Sequence, residues 1–111
     1  LISSLILFLK LAVGHFLADY PLQGDFLAAA KNHRKPIPGV PWYQALMAHS
    51  AIQAGMVWYV TGKLWLAGIE FVLHAGIDWA KSNESISFNQ DQACHLLCKI
   101  VYVAALNGNY F

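Results

Sequence analysis

LISSLILFLKLAVGHFLAD, residues 1–19, is an almost wholly apolar run that ends in a histidine and an aspartate, His15 and Asp19. Ser3, Ser4 and Lys10 are the exceptions before His15. A helix needs about 20 residues to cross a hydrocarbon core about 30 Å thick, so the run has spanning length. Four residues make one helical turn, so His15 and Asp19 project from one face. Three more apolar blocks follow, at residues 42–61, 64–80 and 91–106. None has a polar face wide enough for a soluble bundle. The pattern predicts an all-α fold, an integral membrane bundle of about four transmembrane helices forming a single domain over residues 1–111. The third and fourth blocks are short, which suits tilted or partly interfacial helices.

Composition agrees. The chain has 111 residues, 58% hydrophobic and 12% charged, against about 25% charged in an ordinary soluble domain. Its mean hydropathy is +0.45. Disorder needs low hydrophobicity and high net charge and is excluded. A net charge of +1 gives no reason to expect nucleic acid. The first block is not expected to be a signal peptide, because Lys10 stands mid-segment and His15 and Asp19 follow. Cys94 and Cys98 are spaced unlike a Cys-x-x-Cys site and read as small buried hydrophobes.

The connections differ in character. The first holds GDFLAAAKN (residues 24–32), which suits a short interfacial helix, and then a basic stretch broken by Pro36, Pro38 and Pro41. The second is Gly62-Lys63, a tight helical hairpin. The third is polar, KSNESISFNQ over residues 81–90. Lys31, Arg34, Lys35 and Lys81 fall in the first and third connections and Lys63 in the second. The positive-inside rule then puts the first and third in the cytoplasm, as expected of a multi-pass protein of a bacterial inner membrane. Trp42, Tyr43, Trp58, Tyr59, Trp65 and Trp79 fall near helix ends, where interfacial aromatic belts belong.

The chemistry lies in His15, Asp19, His49, His74, Asp78, Asp91 and His95. Six of them form three i,i+4 pairs: His15–Asp19, His74–Asp78 and Asp91–His95. An up-down topology places all seven in one half of the bundle, roughly 2 to 10 Å below the loop side at 1.5 Å per residue. Intramembrane polar groups are expected to face the bundle interior and pair with one another. Imidazole and carboxylate are ligands of Zn, Mn and Fe, and four-helix bundles hold such metals on inward side chains. A divalent transition metal held by these seven residues is therefore expected. Two other readings remain open: a structural hydrogen-bond network, and a proton or ion path. Gln23 and Gln92 are candidate partners of the cluster. Glu70, one turn deeper than His74, is expected to be a relay group or to be held by Lys10 or Lys99. His33 is expected to be solvated.

At these residues the chain resembles the bacterial and phage membrane proteins grouped as domain of unknown function 3307. The resemblance rests on HFLADYPLQGDFLAAAKN (residues 15–32), His49 in LMAHS, HAGIDWAK (residues 74–81) and DQACHLL (residues 91–97). The first looks like a His-x-x-x-Asp-aromatic-x-x-Gln motif, here His15, Asp19, Tyr20 and Gln23. Lys10 and the proline-rich first loop depart from the family pattern. The resemblance implies a small multi-pass helical membrane protein and no particular activity. The residues themselves favour a metal-dependent, hydrolase-like membrane enzyme. The alternative is a non-enzymatic accessory subunit of a larger assembly. Partners are then the lipid bilayer and either further copies of the chain or other subunits, with no nucleic acid.

Overall fold

A computed structural model describes residues 1–107. The described residues form five helices: α1 (Ile2–Asp19), α2 (Gly24–Ala30), α3 (Trp42–Thr61), α4 (Leu64–Ser82) and α5 (Phe88–Asn107). The last four residues of the expected 1–111 domain lie outside them. The long helices pack in the ring α1–α3–α4–α5, with α2 laid on α3 at the loop end.

Local chemistry sets the ends. Pro36, Pro38 and Pro41 keep the first loop out of helix until Trp42, because proline lacks an amide donor and restricts the residue before it. Gly62 ends α3 in the left-handed region at φ 69°, and its amide donates to the Trp58 carbonyl at 2.7 Å. That left-handed cap turns the chain back within two residues into α4. The last helix starts earlier than the apolar block suggests, at Phe88 rather than Asp91. The Ser87 amide donates to Gln90 Oε1 at 2.9 Å and the Gln90 amide donates to Ser87 Oγ at 3.1 Å. This reciprocal pair is a capping box, and it adds a turn of helix from polar residues. The short helix in the first connection ends at Ala30, two residues before the expected Asn32.

The bundle divides along its length. Around the α3–α4 turn the core is apolar: Leu11, Val57, Leu66, Tyr102 and Val103, with Phe8 and Trp65 against them. Toward the loop end the core is polar. His15, His49, Gln53, Glu70, His74, Asp78, Asp91, His95 and Lys99 are all buried. Large apolar side chains instead face outward, among them Leu5, Leu9, Val13, Val72, Leu97 and Val101.

The expected all-α bundle is found, but the expectation of four spanning helices is not supported. Among the described residues, α1 alone is long and apolar enough to cross a membrane by length and composition. The other three long helices do not meet that test.

Candidate metal centre

Each long helix contributes one to two turns to the polar core. α1 brings His15 and Asp19, α3 His49 and Gln53, α4 Glu70, His74 and Asp78, and α5 Asp91, Gln92, His95 and Lys99. The i,i+4 pairs meet as helical spacing requires. His15 Nε2 lies 3.6 Å from Asp19 Oδ2, His74 Nε2 3.3 Å from Asp78 Oδ2, and His95 Nε2 3.3 Å from Asp91 Oδ1.

The pairs then meet one another. His74 Nε2 lies 3.1 Å from His49 Nε2 and 4.0 Å from Asp19 Oδ1. His49 Nε2 lies 3.0 Å from Asp19 Oδ1 and 3.5 Å from Asp78 Oδ2. His95 Nε2 lies 3.0 Å from Asp78 Oδ1, and its ring stacks on that of His74 with centroids 3.9 Å apart. Two groups of potential ligand atoms result, each with all members within 4.8 Å: Asp19, His49 and His74, and His74, Asp78 and His95. His74 belongs to both.

The far side of His74 explains its orientation. Its Nδ1 lies 3.2 Å from Glu70 Oε2. That carboxylate accepts from Lys99 Nζ at 2.9 Å and from the Tyr102 hydroxyl at 2.8 Å. An ionised carboxylate only accepts, so His74 Nδ1 is the donor, and the ring turns its Nε2 into the cluster. A carboxylate behind a histidine in this way orients the ring and raises its basicity as a ligand. Of the two lysines considered for Glu70, Lys99 holds it, while Lys10 is exposed beside an apolar groove.

His15 and Asp91 lie outside the two groups. His15 Nε2 donates to Gln92 Oε1 at 3.0 Å. The Gln92 amide donates in turn to Asp19 Oδ2 at 2.7 Å and Asp91 Oδ2 at 3.1 Å. Gln92 therefore ties α1 to α5 and holds Asp19 in place. Among the described residues, Gln23 donates to the Asp19 carbonyl, at 2.9 Å, rather than to its carboxylate.

Three participants escaped the sequence reading. Lys31 looked like a loop charge, yet its Nζ is 2.6 Å from Asp78 Oδ2 and the residue is buried. Gln53 donates to Asp19 Oδ1 at 3.3 Å. Its position one turn after His49 was the available signal. Tyr102 carries no sequence signal beyond following Lys99. One expectation is corrected: His33 is half-buried rather than solvated, with its ring stacked on Trp79 at 4.4 Å and 2°. The aromatic residues at the helix ends shield it from water.

The fold and this cluster define a class: an all-α bundle with a buried histidine–carboxylate centre shared among four helices. Residues 7–110 match the family described as "Protein of unknown function (DUF3307)". The chain belongs to that family. No curated protein and no solved structure matches it.

Proposed function

We propose that the protein is a membrane-embedded enzyme of hydrolytic type that uses one divalent transition metal, Zn, Mn or Fe. The observation that carries this reading is the His74 ring. Glu70 fixes its Nδ1 proton, and its Nε2 faces His49, Asp78 and Asp19 at 3.1, 3.3 and 4.0 Å. Ligands about 2.0–2.2 Å from a zinc ion stand about 3.3–3.6 Å from one another in a tetrahedron. The spacings of these side chains straddle that value. One ion is favoured over two, because His74 joins the two groups through a single Nε2 lone pair. Charge points the same way. Among the described residues, the carboxylates of Asp19, Glu70, Asp78 and Asp91 meet the ammonium groups of Lys31 and Lys99 alone. Two buried negative charges are left for a divalent cation, or for protons on the imidazoles, to balance.

A metal with an open position supplies an activated water at neutral pH. The chain supplies the rest. His95 Nε2 donates toward Asp78 Oδ1 at 3.0 Å and lies 3.3 Å from Asp91 Oδ1, so it holds a proton between the two carboxylates, and Gln92 holds Asp19. A cavity of about 300 Å³ lined by Asp19, Lys31, Asp91 and Gln92 leads from the cluster to the loop side. The bilayer setting is supported by the exterior. Large apolar side chains cover all four long helices, where a soluble protein of this size needs charge. Helices of 18 to 20 residues span about 27–30 Å.

A second reading is the accessory subunit, with the cluster as a structural network. It draws on the dense pairing of Asp19 and Asp78, each already held by several donors. A proton path is less well supported, because the polar core stops at the apolar cluster of Leu11, Val57 and Leu66. Metal content of protein purified in detergent without chelator, measured together with thermal unfolding, separates the readings. A stoichiometric transition metal whose removal lowers the unfolding temperature is expected. Metal-free protein that gains no thermal stability from added Zn, Mn or Fe would sink the enzyme reading.

A further inference from the structure

A second cavity of about 250 Å³ lies beside the first and is lined by Lys31, Asn32, Arg34, Lys35, Lys81 and Glu84. The two cavities share Lys31 and Lys81, so they adjoin. Their chemistry differs sharply. The first is lined by the carboxylates of Asp19, Asp25 and Asp91, whereas the second brings four cationic side chains against the single carboxylate of Glu84.

These cations are held in place yet left largely uncompensated. The Asn32 side-chain oxygen accepts the amides of Arg34 and Lys35 at 2.9 and 3.2 Å, which fixes the turn that carries both residues. Arg34 Nη1 donates to the neutral Asn83 Oδ1 at 2.8 Å, tying the first loop to the third. Lys81 Nζ lies over the Phe88 ring at 5.3 Å. Among the described residues, Lys31 is the only one of the four in an ion pair, with Asp78. A pre-set group of cations on the first loop and the adjoining last turn of α4 is the arrangement that binds a phosphate, the guanidinium supplying paired donors and the ammoniums point charges.

We propose that this basic cavity binds a phosphate group carried by the substrate, placing the rest of that molecule in the adjoining cavity beside Asp19 and Asp91, at the edge of the cluster. The proposal deepens the hydrolytic reading and rests on it for the word substrate. Lys31 is the link, since it lines both cavities and touches Asp78. The shared chemistry is phosphate, whether on a lipid headgroup or on a soluble molecule.

The test uses protein in a maltoside detergent, which carries no phosphate, with chelator present. Inorganic phosphate and short-chain phosphatidic acid are titrated separately by calorimetry into wild type, a Lys35→Gln/Lys81→Gln variant and a Lys63→Gln control. Lys63 sits at the opposite end of the bundle. Wild type and the control should bind one or both probes, and the double variant should bind about tenfold or more weakly, as loss of charged hydrogen bonds implies. Binding of phosphatidic acid alone identifies a lipid source; binding of inorganic phosphate as well identifies the phosphate itself as sufficient. No binding of either probe, or equal binding by the double variant with an unchanged unfolding temperature, overturns the proposal. If the double variant unfolds early, Lys35→Gln alone is read in its place. Because the measurement excludes metal, phosphate binding by a protein that never holds metal would keep this site and remove the metal reading.

Discussion

His74 has a different partner on each ring nitrogen, and the difference yields a graded expectation. Its Nε2 faces the cluster and its Nδ1 rests on Glu70. If Nε2 is a ligand, His74→Ala and Asp78→Ala should abolish bound metal. Glu70→Gln keeps the shape and loses the charge behind the ring, and should weaken metal affinity by about 10- to 100-fold. Mass-spectrometric metal content across a chelator series checks the order, and equal retention in all three variants would contradict it. The pair behind the ring is testable without metal. Lys99→Met strands the buried Glu70 carboxylate and should cost about 3–5 kcal/mol, because removing one partner leaves a charge that water cannot reach. Adding Glu70→Gln should restore part of that loss. Denaturant unfolding in detergent measures both, and additive losses would mean that the two residues do not share a buried pair.

At the scale of elements, the ends of the helices decide where the cluster sits. The capping box at Ser87 and Gln90 starts α5 a turn before Asp91, so Asp91 and His95 lie well inside a formed helix rather than at its frayed end. The α3–α4 hairpin depends on Gly62 at φ 69°. Gly62→Ala should cost about 1–2 kcal/mol, since a Cβ is strained in the left-handed region. Gly55 makes the informative contrast, being exposed within α3 with nothing within 4 Å of an added Cβ. Gly55→Ala should stabilise by about 0.5–1 kcal/mol. Thermal melts of the two variants side by side test the turn, and similar shifts for both would show that Gly62 is not conformationally required.

At the loop half the described residues bury a polar cluster, while large apolar side chains such as Phe16, Leu17, Met47 and Leu73 are exposed. In the membrane reading the protein should resist alkaline carbonate extraction, and release into the supernatant would count against it. Orientation rests on fewer charges than the sequence suggests. Lys31 is buried against Asp78, which leaves Arg34, Lys35 and Lys81 opposed to Lys63. Within that membrane reading, the remaining bias would put the first and third loops in the cytoplasm. In a background with Cys94 and Cys98 replaced by serine, a cysteine at position 63 should react with an impermeant reagent in intact cells. Cysteines at positions 35 and 81 should not, and the opposite pattern would invert the topology.

The sequence alone determined the four long helices, the Gly62-Lys63 hairpin and the three His/Asp pairs. Hydrophobic run length, glycine and one-turn spacing are local properties, legible along the chain. It also placed His15, Asp19, His49, His74, Asp78, Asp91 and His95 in one half of the bundle, because equal distances from loops on antiparallel helices mean equal depth. Roles within that group were not legible. That His15 serves Gln92 while His74 faces the cluster depends on how each helix is rotated about its axis, which tertiary packing sets. The start of α5 was missed because a capping box acts through two polar side chains that hydropathy counts as loop. Lys31 was missed for a deeper reason. Its neighbours in sequence are a turn and a basic loop, and its partner Asp78 is 47 residues away. Only the folded chain, in which α2 lies on α3, brings that ammonium down onto the carboxylate.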